Sequence, residues 1–110
     1  MSKSNYRLYM EERENAHVVE SNNGFATATE TGDYFYITDI FIKKECRSIK
    51  EASKLADELV VIAKSLNYTK LLGSVDTRAN GATISMKVLL GYGMNLHSTK
   101  DNIIYFEKSI

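Results

Sequence analysis

Five basic side chains crowd the stretch from Lys43 to Lys54, namely Lys43, Lys44, Arg47, Lys50 and Lys54, against two carboxylates, Glu45 and Glu51. Ser48 stands among them, three residues ahead of Glu51. Serine followed at that distance by glutamate is a capping-box pattern for a helix start. The first amides of a helix point outward unpaired, and its dipole favours negative charge there. Cations around such a terminus make a site for phosphate. A plain capped helix with a solvated basic approach is the competing reading of the same residues.

Other reactive side chains carry weaker patterns. Cys46, beside Arg47 ahead of the helix, reads either as a nucleophile or as a passive thiol with no histidine near it in sequence. His17 and His97 are far apart and lack metal-ligand spacing, so they read as surface or turn residues, and no metal site is expected. Tyr6, Tyr9, Tyr34 and Tyr36 fit half-buried sheet faces, a ligand groove or a subunit interface. Contact of the basic cluster with nucleic acid is disfavoured. The chain has 14 Lys plus Arg against 14 Asp plus Glu, no aromatic platform is interleaved with the cluster, and Asp57 and Glu58 follow on the helix.

The elements that position these residues follow from periodicity. YRLYM (6–10) reads as a first strand, and AHVVE and FATATE flank a hairpin turn at Ser21-Asn22-Asn23-Gly24. The turn Thr31-Gly32-Asp33 leads into YFYITDIFI (34–42), whose alternation puts Tyr34, Tyr36, Thr38, Ile40 and Ile42 on one face. Phe35, Ile37, Asp39 and Phe41 fall on the other. Both faces are largely apolar, which marks a central strand covered on both sides.

From Ser48 the residues Ala52, Leu55, Ala56, Leu59, Ile62, Ala63 and Leu66 recur at helical spacing, with Asn67 as the stop. A buried strand over 70–75 would lie parallel to the central one through a right-handed crossover. A further helix runs from about Asn80 to Leu90, stopped by Gly91, before a closing hairpin with its turn at Ser98, Thr99 and Lys100. The order is β-β-β-β-α-β-α-β-β, a mixed α/β sheet.

With 110 residues and 44% hydrophobic content the chain reads as one domain, 1–110, with its own core. A single cysteine, no leader-like N-terminus and no long apolar run point to a soluble cytoplasmic protein.

In this order the chain resembles the GNAT superfamily of N-acetyltransferases over roughly residues 16 to 108. The likeness rests on YITDIFI as the family's central strand and on the window Arg47-Ser48-Ile49-Lys50-Glu51-Ala52 as its acetyl-coenzyme A loop. It also rests on SVDTRAN with LLGYG, which supplies Asn80, Gly91 and Tyr92, and on the closing IIYFEK. The family's loop usually carries glycines; Lys50 takes the place of the first.

The resemblance implies a GNAT-like sheet, a β-meander followed by β-α-β-α-β-β, lacking the usual N-terminal helix pair. It implies acetyl-coenzyme A as cofactor and an amine as acceptor, with the cofactor between the central strand and the strand over 70–75. Arg47, Ser48, Lys50 and the backbone of Ile49, Glu51 and Ala52 would hold the pyrophosphate, next to Ile40 and Ile42. Asn80 and Lys87 would lie toward the thioester. Lys87 falls where the family commonly has an acidic tyrosine, and Asp39 is the one carboxylate on the central strand; it reads as a general base or as a structural Asp at a sheet bulge. The short length is similar to that of small GNAT-like proteins of tailed phages. From another class comes the reading of a catalytically inactive GNAT-fold binding or structural module, as a homodimer.

Overall fold

Ser4 sets the first element. In the computed structural model, which describes residues 2–110, its hydroxyl accepts the Arg7 amide at 3.0 Å and starts helix α1 (Asn5–Arg13). YRLYM is therefore helical and not a strand. Five residues cannot separate a period of two from one of 3.6, and the Arg7–Glu11 pair at 3.3 Å has helical i,i+4 spacing. The element order is α1, β1 (His17–Glu20), β2 (Gly24–Thr31), β3 (Tyr34–Ile42), α2 (Ile49–Ser65), β4 (Lys70–Asp76), α3 (Ala82–Gly91), β5 (Asn95–Lys100) and β6 (Ile103–Ser109). Among the described residues one helix, α1, precedes the sheet. The side chain of Ile49 lies outside the described residues.

All six strands join one sheet in the order β1-β2-β3-β4-β6-β5. The meander β1-β2-β3 is antiparallel, β3 and β4 are parallel across the α2 crossover, and β6 inserts antiparallel between β4 and β5.

Strict alternation along β3 fails at one residue. Ala28 pairs with Ile37 and Thr27 with Asp39, so Thr38 is an extra residue, a bulge. The faces exchange there: Phe35, Ile37, Ile40 and Ile42 turn to the main core, while Tyr34, Tyr36, Asp39 and Phe41 share the other face.

The stripe on α2 packs as its spacing predicts. Ala52, Leu55, Ala56, Leu59 and Ala63 are buried against Ala26, Ala28, Phe35 and Leu71, though Leu66 stays 41% exposed. Leu55 and Leu59 each contribute about 1.5–3 kcal/mol by leaving water. Helix α3 lies on the same face, with Leu89 under Gly73. Among the described residues the far face carries only α1, whose Tyr6 ring sits 4.7 Å from that of Phe25.

Helix ends account for two more shifts. Asn67 takes φ 69, and the amides of Asn67 and Tyr68 bond the carbonyls of Lys64 and Ala63, closing α2. In α3 the left-handed residue is Gly93 (φ 92), not Gly91, which stays helical. The helix begins at Ala82, after Gly81 (φ 79), rather than at Asn80. The last hairpin turns at Asp101-Asn102 instead of at 98–100, because Asp101 adopts φ 56. Thus β5 runs through Ser98, Thr99 and Lys100.

Candidate functional site

Strands β3 and β4 share three residue pairs, Phe35–Leu71, Tyr36–Leu72 and Ile37–Gly73. Beyond them β3 continues to Ile42 paired only with β2, and β4 continues to Asp76 paired only with β6. The two strands part into a wedge that opens toward the start of α2. The Thr38 bulge, one residue past the last shared pair, bends β3 at the vertex.

On the core face the wedge is lined by Ile37 and Ile40 of β3, by Ala52, Ser53 and Ala56 of α2, and by Val88, Leu89, Tyr92 and Met94. The three small side chains of α2 keep that wall low. Gly73 does the same on β4, where a Cβ would meet Leu89 Cδ2 at 3.3 Å.

The mouth of the wedge is basic. Lys43, Lys44, Arg47, Ser48 and Lys50 are all exposed. Ser48 caps α2 by accepting the Glu51 amide at 3.2 Å. The reciprocal half of the expected capping box is replaced: the Glu51 carboxylate accepts from Asn23 Nδ2 at 3.4 Å and lies 3.7 Å from Lys54 Nζ. Arg47 donates from Nε to the Ile42 carbonyl at 2.9 Å, and its guanidinium sits 5.9 Å from the Phe41 ring centre. Arg47 therefore also fastens the end of β3.

The expected residues divide into two groups. Ile40, Ile42, Arg47, Ser48, Lys50, Glu51 and Ala52 gather at the mouth and β3 wall of the wedge, together with the backbone of Ile49. Asn80 lies in the exposed turn ahead of α3. Asp39 and Lys87 are not brought together. Asp39 is exposed on the far face beside the bulge, and Lys87 is exposed on α3, which packs on the core face. Neither makes a side-chain hydrogen bond or ion pair among the described residues.

Sequence reasoning missed a hydroxyl pair. Tyr36 and Ser74 lie 2.5 Å apart on the far face, next to the vertex. Only the β3–β4 register juxtaposes residues 38 positions apart, so no local signal announces them. The far face continues with Tyr34, which donates to Glu107 at 3.0 Å, and His97, 3.8 Å from the same carboxylate. The Glu107 bond, burial and the negative charges of Glu107 and Asp33 hold the Tyr34 hydroxyl above its ordinary pKa. It stays a donor.

Among the described residues no group of three or more His, Cys, Asp or Glu could hold a metal ion, and no helix is long and apolar enough to cross a membrane.

No protein-family model matches the chain, and no curated protein does. Solved structures do match. An N-acetyltransferase of Thermoplasma acidophilum in complex with coenzyme A aligns at TM-score 0.71 and 17% identity, over 92% of this chain and 66% of its own. A GNAT-family acetyltransferase of Listeria monocytogenes aligns at 0.61 and 10% identity, over 82% and 59%. A Bacillus anthracis acetyltransferase in complex with acetyl coenzyme A aligns at 0.73 and 19% identity, over 93% and 70%. The chain thus spans under two thirds of the first two of these proteins. At these identities the likeness shows the fold: the six-stranded mixed sheet with its three helices is a GNAT fold.

Proposed function

We propose that the chain binds acetyl-coenzyme A in the wedge between β3 and β4 and passes its acetyl group to an amine. The observation that carries this reading is the parting of β3 and β4 after Ile37–Gly73 toward a helix N-terminus ringed by exposed cations. In support, fold neighbours were solved with coenzyme A or acetyl coenzyme A. The residues present fit such a group: a basic mouth for its phosphates and an apolar, small-residue wall for its arm.

Arg47, Ser48 and Lys50, with the backbone of Ile49, Glu51 and Ala52, would hold the pyrophosphate. Ile40 and Ile42 would flank the arm on the β3 side. Acetyl-coenzyme A supplies an activated thioester acyl group. Asp39, an exposed carboxylate past the bulge, takes the role of base toward the acceptor amine. Lys87 would be the proton donor to the coenzyme A thiolate released as the thioester C–S bond breaks, and Asn80 would lie toward the same end. A cytoplasmic setting accompanies this reading, since Cys46 is a free thiol.

A second reading has its own observation. Asp39 and Lys87 lie on opposite faces of the sheet, and edge strand β5 is exposed along its whole length. A GNAT-fold module without catalysis, pairing through that edge as a homodimer, would account for both. The likeness to small phage proteins belongs with this reading.

A thermal melt with acetyl-coenzyme A, coenzyme A and ATP separates the two. Ligand at a hundred times its Kd adds roughly 2.7 kcal/mol, a shift on the order of 10 °C for a domain of this size. A shift with both coenzyme A forms and none with ATP supports the acyltransferase. No shift at millimolar ligand rejects it and leaves the module.

A further inference from the structure

The wedge beside α2 and α3 is narrow, with a free volume of about 10 Å3. That is roughly the room one water needs. Tyr92, which lines it, donates from its hydroxyl to Asp57 Oδ1 at 2.6 Å. Asp57 lies on α2 one turn past Ser53 and next to Ala56, both of which line the same cleft. The bond therefore runs across the cleft from the end of α3 to α2. It is the only side-chain hydrogen bond between these two helices among the described residues.

The backbone under Tyr92 is fixed. Gly93 and Met94 donate their amides to the carbonyls of Leu90 and Leu89, and Met94 is buried. The ring rests on the main core, and its outer edge is held by the Asp57 bond and by Lys108 Nζ at 5.5 Å from the ring centre. Burial first, and Asp57 second, push the hydroxyl pKa upward, so it remains a donor at physiological pH.

We infer that Tyr92 and Asp57 form a latch that closes the cleft when it is empty and must open for the arm of coenzyme A to lie between α2 and α3. The inference rests on the reading of this cleft as a coenzyme A site. A contact made only in the closed state taxes binding by the fraction of molecules that are open. Removing it without changing the wall therefore favours binding.

Tyr92→Phe keeps the ring and deletes the hydroxyl; Asp57→Ala deletes the acceptor from an exposed position. Two quantities are read: the association rate of coenzyme A by stopped flow, and methyl relaxation dispersion at Val88 and Leu89 in the free protein. Both variants should associate about five- to tenfold faster, the equivalent of one hydrogen bond, and show faster methyl exchange. Equal rates with unchanged exchange overturn the latch and leave the coenzyme A reading intact. Weaker binding by both variants also overturns it, since the hydroxyl would then serve the bound state. If coenzyme A binds no form of the protein, the methyl exchange decides alone. Faster exchange in both variants then upholds the closure and rejects the coenzyme A reading.

Discussion

Ile37 and Gly73 are the last pair that β3 and β4 share, and the residues proposed for the cofactor all follow that pair along the chain, from β3 into α2 after Ile37 or after β4. A parallel pair normally continues while both strands last. Here β3 runs five residues further to Ile42 and β4 three further to Asp76, each paired only with its other neighbour. Along this gap the backbone of the central strand lacks a β4 partner.

The basic mouth separates binding from stability. Lys50→Glu changes an exposed residue without a bond, so unfolding should move by no more than about 0.5 kcal/mol while coenzyme A affinity falls at least about tenfold. Arg47→Ala should lose affinity and also about 1–1.5 kcal/mol of stability, because it removes the bond to the Ile42 carbonyl and the contact with Phe41. Urea unfolding and calorimetric titration of the two variants check both halves.

Much of this fold is legible in the sequence because its signals are local. The capping serine, the apolar stripe of α2 and the doubly apolar β3 each fit within about one helix or strand length. The mouth of the site follows from them, since Arg47 to Ala52 are tied to the start of α2. What escapes depends on register. The Thr38 bulge is visible only once Thr27 and Ala28 are known to oppose Asp39 and Ile37, and it alone reassigns Ile40 and Ile42 to the core face. Tyr36–Ser74 and Asp57–Tyr92 join residues 38 and 35 positions apart. Separations of that size leave no periodic trace. Helix α1 is hidden for the opposite reason: none of its side chains is buried, so it prints no apolar stripe.

Gly24 tests how tightly β2 and β3 must approach at the end that carries the basic loop. A Cβ there would lie 1.9 Å from the Phe41 carbonyl oxygen, an atom of the backbone that cannot swing aside. Gly24→Ala should cost on the order of 3 kcal/mol. Equilibrium denaturation measures this, and a cost below about 0.5 kcal/mol would contradict the register described for β2 and β3.

Acid should weaken the protein through Glu30. Its carboxyl is held below the usual value of 4.5, chiefly by the bond to His17 at 3.0 Å and then by the Tyr68 hydroxyl at 2.9 Å. A carboxylate with a lowered folded pKa adds stability above about pH 4.5 and loses it as pH falls through the folded value. Glu30→Gln should therefore flatten the fall in melting temperature below that pH while leaving some slope. The remainder comes from Glu11 and Asp76, which are lowered as well, by Lys3 and by Arg78 respectively.

Methyl-labelled spectra recorded during a titration with acetyl-coenzyme A bear most directly on the wedge. The largest shifts are expected at Ile37, Ile40, Val88 and Leu89, which line it, with little change at Val18 or Ile103 on the far face. Shifts confined to the far face or to β5, or no shifts at millimolar ligand, would contradict the assignment of the β3–β4 gap as the cofactor site.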